Sequence, residues 1–272
     1  MTSQTTIVLI VAAAALILAL AAWVWYTLRR TNYTLGQSFW LALNCLFNRL
    51  LWRTQISGPI PVAPGQGAIV VCNHRSGIDP LLIQVASNRV VHWMVASEYW
   101  KFPVMGLVFR TLQAIPVGRR GVDTAATKQA IRLASDGRLV GIFPEGRINT
   151  TEDLLLPCRP GVALVALKAR VPIVPVYIAG APYNGSALGS FMMPAKVRVS
   201  IGQPLDLSQY FDRARDKDVL AEITRRLLKE IARLAGQEDF EPQLAGKRWH
   251  AEDLNSDAAG EPVANGDADS DI

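Results

Sequence analysis

The sequence predicts an α/β fold, a mostly parallel sheet covered by helices, with N-terminal transmembrane and interfacial helices ahead of it. Three observations lead there. Short β-branched runs alternate with helical stretches between Gly67 and Ile201, which is the pattern of βαβ units. Residues Ile7 to Tyr26 carry no charge, and at about 1.5 Å per residue they are long enough to cross a hydrocarbon layer of about 30 Å. Two of the apolar runs empty into polar loops rich in ionisable side chains, and open α/β sheets keep their chemistry at strand ends.

Residues 1–30 read as an uncleaved membrane anchor. A cleaved signal begins with basic residues, whereas Met1 to Thr6 carries none and Arg29 and Arg30 follow the apolar run directly. With Arg49 and Arg53 these arginines place the downstream side in the cytoplasm, by the positive-inside bias. Residues 31–58 read as an interfacial amphipathic helix. Within the apolar stretch Leu35 to Arg53, Gln37, Asn44 and Asn48 recur at spacings of seven and four and share one helical stripe. Trp40 and Trp52, like Trp23 and Trp25, have rings suited to headgroup depth.

Residues 59–240 form the main domain, entered through a linker of Pro59, Pro61, Pro64, Gly65 and Gly67. The order predicted is strand Ala68 to Cys72, helix Pro80 to Ser87, strand Val90 to Ala96, a helical stretch through Phe109, and strand Gln113 to Val117. A helix starting at Asp123 or Thr124 and ended by Gly137 follows, an N-cap and C-cap pair. Strand Leu139 to Phe143, helix Pro160 to Ala169, strand Val171 to Ile178 with Pro172 and Pro175 making its edge irregular, and strand Val197 to Ile201 complete the sheet. An amphipathic helix, Asp218 to Leu234, closes the domain.

Residues 241–272 read as an acidic tail, too polar from Glu252 onward to bury anything and expected to be disordered. From Glu252 the last 21 residues hold seven acids and no Lys or Arg, so a net charge of +5 for the whole chain leaves +12 on the residues before Glu252. Such a charge suits nucleic acid or anionic lipid. The sequence has no nucleic-acid module and no glycine-lysine phosphate loop, so no nucleic-acid partner is expected, and an anchor beside the charge points to a lipid surface. Cys45, Cys72 and Cys158 show neither paired nor metal-ligand spacing, which suggests a reducing compartment and no zinc site.

Two loops carry candidate chemistry. His74 stands at the mouth of the first strand, and Asp79 follows five residues later, where a loop folding back onto a helix start brings imidazole and carboxylate together. Such a pair makes a general base, the carboxylate fixing the tautomer. Asp79 could equally cap the helix that begins at Pro80. The second loop, Phe143-Pro144-Glu145-Gly146-Arg147, also follows a strand, so both can face one crevice. His92, in an apolar strand beside Trp93, reads as structural.

Together these residues resemble the membrane-bound glycerolipid acyltransferases, the lysophosphatidic acid acyltransferase (PlsC-like) family, whose signatures are Asn-His-x4-Asp and Phe-Pro-Glu-Gly. The resemblance covers about residues 56–207, with four blocks in the family's order: Asn73 to Asp79, Ile115 to Arg120, Phe143 to Arg147 and Val171 to Val176. One departure is that Glu145-Gly146-Arg147 stands where many members read Glu-Gly-Thr-Arg. The resemblance implies transfer of a fatty acyl group from acyl-CoA or acyl-carrier protein to the free hydroxyl of 1-acylglycerol 3-phosphate, giving phosphatidic acid. It implies His74 as base and Asp79 as its orienter; Asn73, Arg75 and Ser76 read as holders of the turn, with an oxyanion-stabilising donor among them as the other possibility. Glu145 is expected against the acceptor's glycerol hydroxyl, with a salt bridge shaping the loop as the other possibility; Gly146 lets backbone approach a ligand. Arg147, Arg119 and Arg120 are the candidate phosphate ligands. No metal or redox cofactor is expected, because a thioester is already activated. Another lysolipid acceptor, or a non-catalytic lipid-binding protein of the membrane, are the alternatives. A serine hydrolase is disfavoured, since no Gly-x-Ser-x-Gly elbow occurs.

Overall fold

The structure, a computed structural model, describes residues 3–30, 32–118, 123–186 and 189–245. Helix α1, Ser3–Arg30, includes one apolar stretch, Gln4–Trp25, long enough to cross a membrane. Helix α2, Leu35–Leu50, begins at a reciprocal cap in which Gln37 N donates to Thr34 Oγ1 and Thr34 N donates to Gln37 Oε1.

The polarity of α2 is reversed relative to a helix in water. Gln37, Ser38, Asn44 and Asn48 are buried against the domain, while Leu35, Phe39, Leu43, Leu46 and Leu50 are exposed. Asn44 Nδ2 donates to the Leu81 carbonyl at 2.9 Å and Gln37 Nε2 to that of Thr111 at 3.1 Å, so backbone acceptors of the domain hold two of the inward amides. Two expectations are corrected here. The helix occupies Leu35–Leu50 rather than the whole of residues 31–58, and Trp52 is 1% exposed, packed on Phe47 inside the core and not at headgroup depth.

Seven strands follow in one sheet: β1 Gln55–Ile56, β2 Ala68–Cys72, β3 Val91–Ala96, β4 Ile115–Val117, β5 Leu139–Ile142, β6 Ile173–Ala179 and β7 Arg198–Ile201. Their order is β1-β7-β6-β2-β5-β3-β4, with β6 to β4 mutually parallel and β7 antiparallel to β6. Residues 55 and 56, assigned from sequence to the interfacial segment, therefore supply an edge strand of the sheet. Pro175 lies in an interior strand rather than at an irregular edge. Its carbonyl accepts from Gly202 N, one residue past the end of β7, so the proline falls where the β6–β7 pairing, last at Val176 and Ile201, runs out.

Alternation along β2 sorts the core. Ile69 and Val71 join one cluster with helices α5 (Thr124–Ser135), α6 (Gly161–Ala169) and α7 (Lys217–Leu234), and Ala68, Val70 and Cys72 join the other with α3 (Asp79–Gln84) and Trp52. Helix α4, Pro103–Thr111, packs beside α2. Asp123 is the N-cap of α5, its carboxylate accepting from Ala126 N. Gly137, at φ 79°, ends that helix, with Arg138 N donating to Leu133 O and Gly137 N to Ala134 O. The first residues of the assigned tail pack onto the domain, Cys158 N donating to Gln243 O and Ala245 N to Cys158 O. The rest of that tail lies outside the described residues.

The topology fixes where a site can be. From β2 the chain crosses through α3 to β3 on one side, and from β5 through α6 to β6 on the other. The loops after β2 and β5 therefore meet at a switch point on the carboxyl ends of parallel strands.

Candidate active site

Asn73 prolongs the sheet by one step beyond β2: its Nδ2 donates to Ile178 O at 3.0 Å and its Oδ1 accepts from Ile178 N at 2.8 Å. The next residue, His74, leaves the sheet with its backbone held at both ends. Its N donates to Glu145 Oε1 at 2.7 Å, and its carbonyl accepts from Asn149 N at 2.7 Å.

The imidazole is held from two directions. Nδ1 lies 2.9 Å from Asp79 Oδ2, an oxygen that also accepts from Arg75 N at 2.7 Å and Ser76 N at 2.8 Å. An oxygen already accepting from two amides favours the tautomer with the proton on Nδ1. The ring face stacks on Phe143, centroids 3.8 Å apart and planes at 11°, and Phe143 in turn stacks on Trp93 at 4.7 Å and 19°. Trp93 of β3 sits in register opposite Gly141 of β5, and a Cβ at 141 would lie 2.4 Å from the indole. Glycine there makes room for the outermost ring of the stack.

Asp79 is fully buried and opens α3, but it does not cap that helix; its carboxylate reaches back to the loop amides. Ser76 Oγ donates to Pro182 O at 2.6 Å. The Arg75 guanidinium donates to the carbonyls of Asn149, Thr151 and Asp153, so the first loop stitches the second. Asn149 continues the stitching, Nδ2 donating to Asp153 O and Oδ1 accepting from Thr151 N.

Glu145 is 4% exposed, and both oxygens accept from backbone: Oε1 from His74 N, Oε2 from Leu156 N at 2.9 Å. The geometry gives it a loop-shaping duty through backbone amides, in place of the salt bridge that was the other possibility in the sequence. Burial raises its pKa to about 7, against the pull of the Leu156 and His74 amides. Gly146 follows at φ 70°, in the left-handed region, with open space where a Cβ would stand. Arg147 lies half-buried on the same turn. Arg119 and Arg120 lie outside the described residues. His92 is buried among strands, its Nδ1 3.1 Å from Gln113 O, and burial lowers its pKa.

With Nδ1 engaged, Nε2 is the ring nitrogen left to exchange a proton, on a side chain that keeps 15% exposure. The arrangement is that of an oriented general base. Among the described residues no group of three or more His, Cys, Asp or Glu is placed to hold a metal ion. Trp93, Gly141 and Asn149 were not foreseen. Gly141 alone carried a signal, as an isolated glycine inside an apolar strand marks a close approach.

Comparison with known proteins follows the same residues. The family model described as Acyltransferase matches residues 53–179, a span that holds both loops. A 1-acyl-sn-glycerol-3-phosphate acyltransferase of Bacillus subtilis is 29% identical over 175 residues, covering 64% of this chain and 83% of that protein. The human 1-acyl-sn-glycerol-3-phosphate acyltransferase beta is 31% identical over 128 residues, covering 46% of this chain and 45% of its own length. Among solved structures, the 1-acyl-sn-glycerophosphate acyltransferase PlsC of Thermotoga maritima superposes with a TM-score of 0.51 at 23% identity, covering 68% of this chain and 79% of that one. That likeness establishes a shared fold.

Proposed function

This chain belongs to the PlsC-like glycerolipid acyltransferases, and from that premise we propose that it moves a fatty acyl group from a thioester to the free hydroxyl of 1-acylglycerol 3-phosphate, making phosphatidic acid. The observation that carries this reading is the His74 and Asp79 pair, 2.9 Å apart at the switch point of the sheet.

In the proposed reaction His74 Nε2 takes the proton of the acceptor hydroxyl as its oxygen attacks the thioester carbonyl. An alcohol of pKa near 16 needs such a base beside it. Asp79 steadies the imidazolium that forms, and the face of Phe143 stacked on the ring favours the same positive charge. The tetrahedral intermediate collapses by breaking the carbon–sulfur bond, and the thiolate leaves with the proton held on Nε2. Arg147, with Arg119 and Arg120, is the proposed phosphate clamp, because a planar guanidinium binds a phosphoryl group in bidentate fashion. The thioester supplies the driving energy, so the scheme needs no metal or redox group.

The acyl donor is proposed to be acyl-CoA or acyl-carrier protein. The lipid setting follows from α1 and from the outward apolar side of α2, and the arginines at 29, 30, 49 and 53 support a domain on the cytoplasmic side. Purified protein given an acyl thioester and lysophosphatidate should release free thiol and phosphatidic acid. Thiol release that is absent, or unchanged in His74→Ala, defeats the proposal. Relative rates over a panel of lysolipids decide the acceptor.

A further inference from the structure

The end of the sheet opposite His74, where β3 and β5 begin, holds a cavity of about 360 Å³ whose lining includes Asn32, Arg89, His92, Gln113, Asp136 and Arg138. Arg89 is rooted there: Nη1 donates to the carbonyls of Gln66 and Gly137, both at 3.0 Å. No partner for its other guanidinium nitrogens occurs among the described residues. Arg138, held beside it by the turn that ends α5, makes no ion pair or side-chain hydrogen bond among the described residues. Asp136, the one carboxylate of that lining among the described residues, pairs with neither arginine.

Two guanidiniums thus share a cavity in which no carboxylate pairs with either among the described residues. Burial first, and Arg138 second, lower the pKa of Arg89. Like charges held together repel unless a counter-charge is placed between them, and rooting one guanidinium to two carbonyls removes its freedom to turn away. Gln113, at φ 51°, adopts the left-handed backbone that few residues other than glycine take, and it stands exposed at the rim of the cavity. The position matters as much as the charge. Asn32 lies between the apolar α1 and the inverted α2, so a bilayer that takes up both helices has its phosphate layer at this level.

We propose that this cavity binds a phosphate ester through Arg89 and Arg138, the occupant being the headgroup of an anionic phospholipid. The phosphate chemistry stands on the cavity alone, while the lipid source rests on the membrane reading above. The site is separate from His74 and binds a lipid that is not consumed.

The test uses the full chain in nanodiscs of phosphatidylcholine with a minority of phosphatidylglycerol, followed by native mass spectrometry. Wild-type protein should retain phosphatidylglycerol about tenfold better than Arg89→Gln/Arg138→Gln. The exposed pair on α7, changed as Arg225→Gln/Arg226→Gln, should retain it like wild type and so exclude a general charge effect. A second arm in pure phosphatidylcholine follows line broadening of inorganic phosphate by phosphorus NMR. Broadening that needs both arginines, without selective retention of phosphatidylglycerol, assigns the site to soluble phosphate and overturns the headgroup. Equal retention and equal broadening in wild type and variant overturn the site itself. Arg138→Gln alone removes no bond seen in the structure, so it guards against misfolding. Thiol release in pure phosphatidylcholine should be unchanged in these variants, which separates failure here from failure of the acyltransferase reading.

Discussion

At the carboxyl end of the sheet His74 is held by a carboxylate, an aromatic face and two backbone contacts, and its neighbours Glu145, Asn149 and Arg75 are tied to main-chain groups. At the other end Arg89 is rooted but Arg138 lines the cavity with no ion pair or side-chain hydrogen bond among the described residues. The difference separates two ways of using polar groups. Groups satisfied from within fix one geometry, which a reaction requires; charge left unsatisfied makes a receptor for something that arrives from outside.

The largest test of that contrast is to remove the base. His74→Ala should lower the rate of thiol release by about 10²- to 10⁴-fold, while Arg138→Gln leaves it unchanged; equal losses would erase the distinction between the two ends. Asp79→Asn should come next, with a loss of about 10²-fold or more in kcat and little change in KM. The amide still fills the space, but it no longer enforces the Nδ1–H tautomer. A variant with normal kcat would show that orientation comes from the ring stack alone.

The stack itself gives a smaller effect. Gly141→Ala places a methyl 2.4 Å from the Trp93 ring, and overpacking of this kind costs about 1–3 kcal/mol, read as a fall in Tm. Trp93→Leu should slow turnover by about tenfold, one unit of 1.4 kcal/mol, and Trp93→Phe should restore most of it. A Leu variant as fast as wild type would leave Phe143 as sufficient support for His74.

Smaller still is the effect of Glu145 on stability. Its pKa is raised from 4.5 to about 7 by burial, so the native state keeps a proton that the unfolded chain releases between those values. Stability contributed by this group is therefore greatest at low pH and falls as pH rises from about 4.5 to 7. In Glu145→Gln that slope should vanish from chemical denaturation curves measured across the window. The variant should also be less stable throughout, since the amide NH2 faces a backbone N–H donor.

Much of this arrangement was legible from local pattern. β2 appears at the predicted residues, and α5 starts at its aspartate cap and stops at Gly137, because period and capping depend on near neighbours. The two amphipathic helices show where local pattern stops. In α7 the apolar residues Val219, Ile223, Leu227, Leu228 and Ile231 are buried, whereas in α2 the buried residues are Gln37, Ser38, Asn44 and Asn48. Both have a stripe, and a stripe alone does not say which solvent the helix meets. Trp52 went astray for the same reason: its ring suits a headgroup layer or a core equally well, and packing against Phe47 decided it.

By itself the sequence determined the alternation of strands and helices, the apolar run ahead of them, and the two loops that bring His74, Asp79 and Glu145 to strand ends. Tertiary structure alone decided that Trp93, Gly141, Phe143 and His74 form one stack, and that Glu145 braces backbone amides. It also decided that α2 turns its polar side inward. These are contacts between groups up to about seventy residues apart, and which partner each group meets is set by strand order and the crossing of helices. Spacing along the chain carries no record of that choice.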